Sequence, residues 1–150
     1  MAVDHATEER QRWMAVLARA GREELETLSA LLDAGDGTPR YHLPRPVETG
    51  LAMVRGRMGG TGRAFNLGEM TISRCVVQLE DNTTGVAYIR GRDRRKAELA
   101  AVLDACLQSG LLEPSALREM TRAQEEAAAR RSRAVAGTKV DFFTMVRGED

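Results

Sequence analysis

The sequence predicts an α+β fold in a single domain over residues 1–150. The expected elements are an N-terminal helical hairpin, a small antiparallel three-stranded sheet, two further helices and an extended apolar C-terminal tail over residues 138–150. Three observations predict this order. Apolar residues recur at helical spacing up to Gly35, alternate with a period of two between residues 51 and 89, and return to helical spacing after Asp93. The composition of 150 residues, 43% hydrophobic and 29% charged, suits one domain with its own core.

The first two helices are predicted from their caps and their apolar spacing. Thr7 is the expected N-cap of a helix that carries Trp13, Val16 and Leu17 and stops at Gly21. A second helix repeats the pattern from Leu25 to Leu32 and ends at Gly35. Residues 35–50 hold several glycines and prolines, and we expect them to form an irregular connector.

Period-two alternation then predicts three strands, over residues 51–58, 69–79 and 85–89. The first strand should place Ala52, Val54 and Met58 on one face and Leu51, Met53, Arg55 and Arg57 on the other. Residues 59–62 and 81–82 are the expected turns, so the strands should form an antiparallel meander.

The second half of the chain returns to helix and ends in an apolar segment. Asp93 is a predicted N-cap, Gly110 a stop, and Pro114 suits the first turn of the last helix. Residues 125–133 form helix readily but are weakly apolar, which indicates a solvated or partner-facing surface. Residues 138–146 are apolar and extended in character. The side chains predicted to dock a partner there are Phe142, Phe143 and Met145.

The bulk charge excludes some classes of function. The formal net charge is zero, which gives no support to nucleic-acid or anionic-membrane binding. No run approaches the ~20 apolar residues of a membrane span, and the first residues do not resemble a secretory signal. Two cysteines, Cys75 and Cys106, are too few for a disulfide framework, and we expect both to be buried structural thiols. We expect the protein to be cytoplasmic.

The basic residues are 20 arginines and two lysines, Lys96 and Lys139. A genome rich in G and C explains this bias, and so does recognition of phosphate or carboxylate by planar guanidinium groups. Residues 51–95 hold eight arginines against four acidic residues, whereas the first 50 residues hold six against nine. The middle of the chain is therefore the expected place for an anion or an acidic partner.

The glycine-rich segment from Gly59 to Arg63 allows two interpretations. Its glycines favour a hairpin turn with positive φ, and its backbone N–H groups with Arg63 are also suited to holding an anion. It matches neither a Walker loop nor a dinucleotide fingerprint. Arg55, Arg57, Arg74 and Arg90 alternate with apolar neighbours and stand on sheet faces, either solvated beside Glu69 and Glu80 or covered by another subunit. His5 and His42 have no metal-ligand spacing, so no metal site is predicted.

The same segment resembles the central signature of the PhnG family. The similarity lies in MVRGRMGGTGR (residues 53–63), FNLGEMT (65–71) and RCVV (74–77), and continues through GVAY (85–88) and KVDFFTMVRGE (139–149). RWMAVLA (12–18) also fits, so the resemblance covers nearly the whole chain. The candidate phosphate-contact or partner-contact residues lie in or beside these blocks: Arg55, Arg57, Gly59, Gly60, Arg63, Asn66 and Arg74.

The resemblance implies an accessory subunit in phosphonate catabolism. PhnG-like subunits act with PhnH-, PhnI- and PhnL-like proteins when an alkylphosphonate displaces adenine from ATP, and sit with PhnJ-like subunits in the carbon–phosphorus lyase core complex. No cofactor is expected on this chain alone, since ATP is the substrate of the complex. Two other functions remain open at this point: a module that holds a triphosphate or phosphonate at residues 59–63, and an independent enzyme.

Overall fold

The computed structural model describes residues 5–33, 37 and 39–137 and shows an α+β fold, as the sequence predicts. Its helices pack on one face of a four-stranded antiparallel sheet. In chain order the elements are α1 (His5–Arg19), α2 (Arg22–Asp33), β1 (Tyr41–His42), β2 (Glu48–Arg57), a 3₁₀ turn (Met58–Gly60), β3 (Ala64–Leu79), β4 (Thr84–Arg90), α3 (Arg94–Ser109), a second 3₁₀ turn (Pro114–Leu117) and α4 (Arg118–Gly137). None of the helices in these described ranges is long and apolar enough to cross a membrane.

The break between α1 and α2 falls at the predicted glycine. The backbone N–H of Gly21 donates to Glu24 Oε2 at 2.6 Å, and the N–H of Leu25 donates to the Gly21 carbonyl at 3.2 Å. This is the N-terminal arrangement of a capping box, with Gly21 in the cap position. The two helices of the expected hairpin both pack mainly against α3. The predicted cap at Thr7 is wrong, because α1 already begins at His5.

The sheet has one strand more than the three that the sequence predicts. The long strand β3 is central: β2 and then β1 pair along one edge, and β4 pairs along the other. The additional strand β1 lies within the expected irregular connector, where Tyr41 and His42 pair with Leu79 and Gln78. The Tyr41 hydroxyl also donates to Glu98 Oε1 at 2.6 Å, so contacts from α3 hold this short strand in place.

Helix α3 is the centre of the core. Asp93 caps it by accepting from the Lys96 N–H at 2.9 Å, and Gly110 ends it at φ 75°, both as predicted. The odd-numbered residues of β3 from Ser73 to Leu79 are buried and face the helices, so the even-numbered residues lie on the opposite face of the sheet. Helix α4 buries none of its residues, in agreement with the predicted solvated or partner-facing helix.

Gly85 allows α3 to approach the sheet closely. A Cβ atom at this position would lie 2.0 Å from the Ala101 carbonyl oxygen and 2.8 Å from the Ala105 Cβ. Only a residue without a side chain fits between β4 and this helix.

We therefore expect Gly85→Ala to lower the free energy of unfolding by about 3 kcal/mol, because the helix must shift away from the sheet. Chemical denaturation measures the change. Gly50→Ala is the matched control: Gly50 also lies in a strand, but apart from its chain neighbours no described residue lies within 4 Å of its added Cβ. Equal stability of the two variants would show that α3 can shift away from the sheet without a loss of folding free energy.

Candidate functional site

The most exposed part of the sheet is a two-stranded projection formed by residues 51–71, which we call the hairpin arm. Strand β4 pairs with β3 only from Ile72 onward, and among the described elements β2 makes extensive contact with β3 alone. The residues of β3 from Ala64 to Glu69 are all exposed. With about 3.4 Å per residue, the seven residues of β2 from Leu51 to Arg57 extend for ~24 Å. The hairpin arm contains two of the three central signature blocks, residues 53–63 and 65–71.

The two faces of the hairpin arm differ in character. One, the arginine face, carries Leu51, Met53, Arg55 and Arg57 from β2, as the alternation predicts, with Asn66 opposite Arg55. The other, the small-residue face, carries Ala52, Val54 and Gly56, and the Phe65 ring lies 3.5 Å from the position of a Gly56 Cβ. A register shift between Val54 and Arg55 leaves Leu67 as an extra residue in β3, which is a β-bulge.

The glycine segment at the tip is a hairpin turn, which confirms the structural interpretation of its glycines. Gly59 and Gly60 adopt φ angles of 61° and 81°, which glycine tolerates best. The Gly62 N–H donates to the Met58 carbonyl at 2.9 Å, and Arg57 Nη1 donates to the Gly62 carbonyl at 3.2 Å. Arg63 follows the turn and is exposed.

The structure separates the predicted arginines into two groups. Arg55, Arg57 and Asn66 share the arginine face, whereas Arg74 and Arg90 lie on the opposite face of the sheet. Seven residues of β3 lie between Asn66 and Arg74, which corresponds to about 25 Å of strand. Arg74 forms an ion pair with Glu48, not with Glu69 or Glu80 as the sequence suggested.

Large apolar side chains are concentrated on the hairpin arm. Of the nine large hydrophobic residues exposed in the described part of the chain, five belong to the arm. Their exposed fractions are 64% for Leu51, 54% for Met53, 77% for Met58, 43% for Phe65 and 66% for Leu67. Several exposed large apolar side chains on one projecting element are suited to contact with another protein.

Sequence analysis missed a buried carboxylate, Asp104, inside the apolar run of α3. Its Oδ1 accepts from Arg10 Nε at 3.3 Å and from Trp13 Nε1 at 2.8 Å. Its Oδ2 accepts from Arg10 Nη2 at 2.9 Å, the Val86 N–H at 2.9 Å and Gln108 Nε2 at 3.1 Å. Five donors from within the chain occupy the two oxygens. Asp104 therefore joins α1, β4 and α3, and the signal for it was a single acid within an apolar stretch.

The two thiols are buried, as predicted. Burial, with a smaller contribution from the charge of Glu98, raises the pKa of Cys75 to about 11. Burial and the charge of Asp81 likewise raise the pKa of Cys106 to about 11. Both groups are protonated at neutral pH, and the protonated thiol is a poor nucleophile. Among the described residues there is no group of three or more His, Cys, Asp or Glu that is arranged to hold a metal ion.

The predicted docking residues Phe142, Phe143 and Met145 lie outside the described residues. Their role therefore stays a prediction from the sequence.

Comparison with known proteins agrees with the signature. The sequence model of the family described as "Phosphonate metabolism protein PhnG" matches residues 8–148. A curated relative from Rhizobium meliloti (strain 1021), the alpha-D-ribose 1-methylphosphonate 5-triphosphate synthase subunit PhnG, is 45% identical over 150 residues. That similarity covers 98% of this chain and 94% of the relative.

Proposed function

The chain belongs to the PhnG family of phosphonate metabolism proteins, and from this premise we propose that it is an accessory subunit of an α-D-ribose 1-methylphosphonate 5-triphosphate synthase. The observation that carries the proposal is the similarity to the synthase subunit of Rhizobium meliloti, which extends over nearly the full length of both chains. We further propose that the complex acts in phosphonate catabolism in the cytoplasm, where ATP is available as its substrate.

The proposed reaction transfers the ribose triphosphate moiety of ATP to an alkylphosphonate. A phosphonate oxygen forms a bond to the anomeric carbon of the ribose, and the bond from that carbon to adenine breaks, so that adenine leaves with the bonding electrons. We propose that a PhnI-like subunit carries this chemistry with PhnH- and PhnL-like proteins. A PhnJ-like subunit would then act on the product in the later cleavage of the carbon–phosphorus bond.

The described residues support an assembly role for this chain. The thiols of Cys75 and Cys106 are buried and protonated, and the Asp104 carboxylate is fully occupied by donors of the same chain. On the hairpin arm, by contrast, exposed guanidinium groups stand beside large apolar side chains. Arginine and methionine are enriched at protein interfaces.

Reconstitution tests this function. The purified chain is combined with PhnI-, PhnH- and PhnL-like proteins, ATP and methylphosphonate, and adenine release is followed by chromatography. We expect the release to require the chain and to be lost when the chain is omitted. Undiminished release without it would contradict the proposed subunit role.

A second candidate function is a triphosphate or phosphonate site at residues 59–63. The observation that favours it is the exposed turn, in which Gly59 and Gly60 have positive φ and no carboxylate of the described residues pairs with the neighbouring Arg63. Calorimetric titration of the chain alone with ATP separates this function from the subunit role. Binding by the isolated chain would favour the small-molecule site.

Replacement of Arg63 extends this test to the assembled synthase. If Arg63 contacts a phosphate, Arg63→Ala should lower transferase activity about 30-fold, which corresponds to ~2 kcal/mol for a hydrogen bond to a charged group. The comparison is Arg45→Ala, since Arg45 is exposed on the loop before β2. Full activity of Arg63→Ala in an intact complex would assign Arg63 to the solvated surface.

A further inference from the structure

We propose that the hairpin arm is a docking element that inserts into an apolar groove, rimmed by carboxylates, on a neighbouring subunit of the synthase. This inference rests on the proposed function, because it names the surface through which the chain joins its complex. Three properties of the arm carry it: its isolation from the core, its charge and the composition of its two faces.

The first property is that the hairpin arm has no cover within the described structure. Two-stranded hairpins without a packed face are at best marginally stable in water. The arm nevertheless exposes Leu51 and Met53 on its arginine face and Phe65 on its small-residue face. Insertion into a groove whose walls contact both faces would remove this apolar surface from water and would stabilise the strand pairing.

The second property is a charge that is not balanced within the arm. Residues 51–71 contain Arg55, Arg57 and Arg63 but a single acid, Glu69. The Arg57 guanidinium contacts the Gly62 carbonyl, and no carboxylate of the described residues forms an ion pair with these three arginines. A partner that presents carboxylates along the rim of its groove supplies the complementary charge.

The third property is the difference between the two faces. Ala52 and Val54, with Gly68 opposite Val54, leave the middle of the small-residue face flat, so that a partner can approach closely beside the Phe65 ring that covers Gly56. The arginine face combines guanidinium groups with the long apolar side chains of Leu51 and Met53. Such a surface extends over about 24 Å, which matches a protein groove better than a single nucleotide.

Binding of the full-length chain to purified PhnI-, PhnH- and PhnJ-like subunits tests the proposal. Two arm variants address the two kinds of contact: the pair Arg55→Glu with Arg57→Glu, and the pair Leu51→Ser with Met53→Ser. The matched controls are Arg45→Glu and Leu111→Ser, which change an exposed arginine and a 50% exposed leucine outside the arm. Thermal unfolding by circular dichroism checks that all variants keep the core, to which the changed residues do not belong.

We expect each arm variant to bind its partner subunit at least about tenfold more weakly, while each control stays within about twofold of the unchanged chain. The charge-reversed variant should also invert the salt dependence of the association rate, which then rises with ionic strength because salt screens the repulsion between like charges. Arm variants that bind as tightly as the controls would overturn the inference. Arm variants that bind normally but lose transferase activity would also overturn it, because the arm would then contact substrate. Loss of self-association alone would overturn it too, because the arm would then contact a second copy of this chain. If the unchanged chain binds no synthase subunit, the proposed function itself fails.

Discussion

Asp104→Ala is expected to lower the free energy of unfolding by about 3–5 kcal/mol, the range for breaking a buried ion pair by removal of one partner. The carboxylate is completely buried, whereas the Arg10 side chain keeps 34% of its surface exposed. Removal of the acid leaves the Trp13 indole N–H and the Val86 backbone N–H without their acceptor. Each unpaired buried donor adds a desolvation cost.

The effect should extend beyond α3, because Asp104 connects three elements. Arg10 and Trp13 belong to α1, and Val86 belongs to β4. We therefore expect α1 to separate from the sheet before the rest of the fold opens. Hydrogen exchange should show faster exchange of the α1 amides in Asp104→Ala than in the unchanged chain.

Two further variants isolate the cause. Asp104→Asn keeps the shape and one acceptor oxygen but removes the charge opposite Arg10, so its loss of stability should be smaller than that of Asp104→Ala. Glu119→Ala removes an exposed ion pair with Arg122 and should cost less than about 0.5 kcal/mol. Urea denaturation measures all three, and a loss below about 1 kcal/mol for Asp104→Ala would show that the buried network contributes little.

Sequence periodicity predicted the elements whose signal is local. The cap at Asp93 and the stop at Gly110 require only the chemistry of one residue and its neighbours, and both are present. The alternation in β2 also assigned Leu51, Met53, Arg55 and Arg57 to one face correctly. These predictions succeed because helix caps and strand faces are set within a few residues.

The features that were missed depend on distant contacts or on irregular backbone. The start of β3 was predicted at Glu69 instead of Ala64, because the bulge at Leu67 shifts the phase of the alternation. Strand β1 has two residues, too few for any period, and is held by pairing with the far end of β3. The network of Asp104 joins residues that are 91 and 94 positions apart, and spacing along the chain contains no signal for such a contact.

Some features of the candidate site could likewise be predicted from the sequence, and others could not. The sequence placed the positive charge in the middle of the chain and named Arg55, Arg57 and Asn66 among its candidate contacts, and the strand register shows that these three share a face. It did not reveal that Arg74 is remote from them and paired with Glu48. Nor did it show that the signature projects from the core as an uncovered hairpin, since this depends on where β4 ends along β3.

Deletion of all residues after Gly137 is expected to leave the helical circular-dichroism signal largely intact but to abolish co-purification with the synthase complex. The described core extends from Trp13 to Met120, and no residue of α4 is buried, so the fold has its packing before this segment begins. The segment is nevertheless rich in large apolar residues: Val140, Phe142, Phe143, Met145 and Val146. Burial of such side chains contributes about 1.5–3 kcal/mol each, which is sufficient to hold a subunit in a complex.

The experiment is a pull-down of the co-expressed complex through a tag on the PhnI-like subunit. A full-length variant with Phe142→Ser and Phe143→Ser separates the apolar contacts from the length of the segment, and we expect it to be lost from the complex as well. The hairpin arm is unchanged in both variants, so retention of the deleted chain would show that the arm alone is sufficient for assembly. Loss of the helical signal on deletion would instead assign these side chains to the chain's own core, because a subunit that has lost only a docking segment keeps its fold.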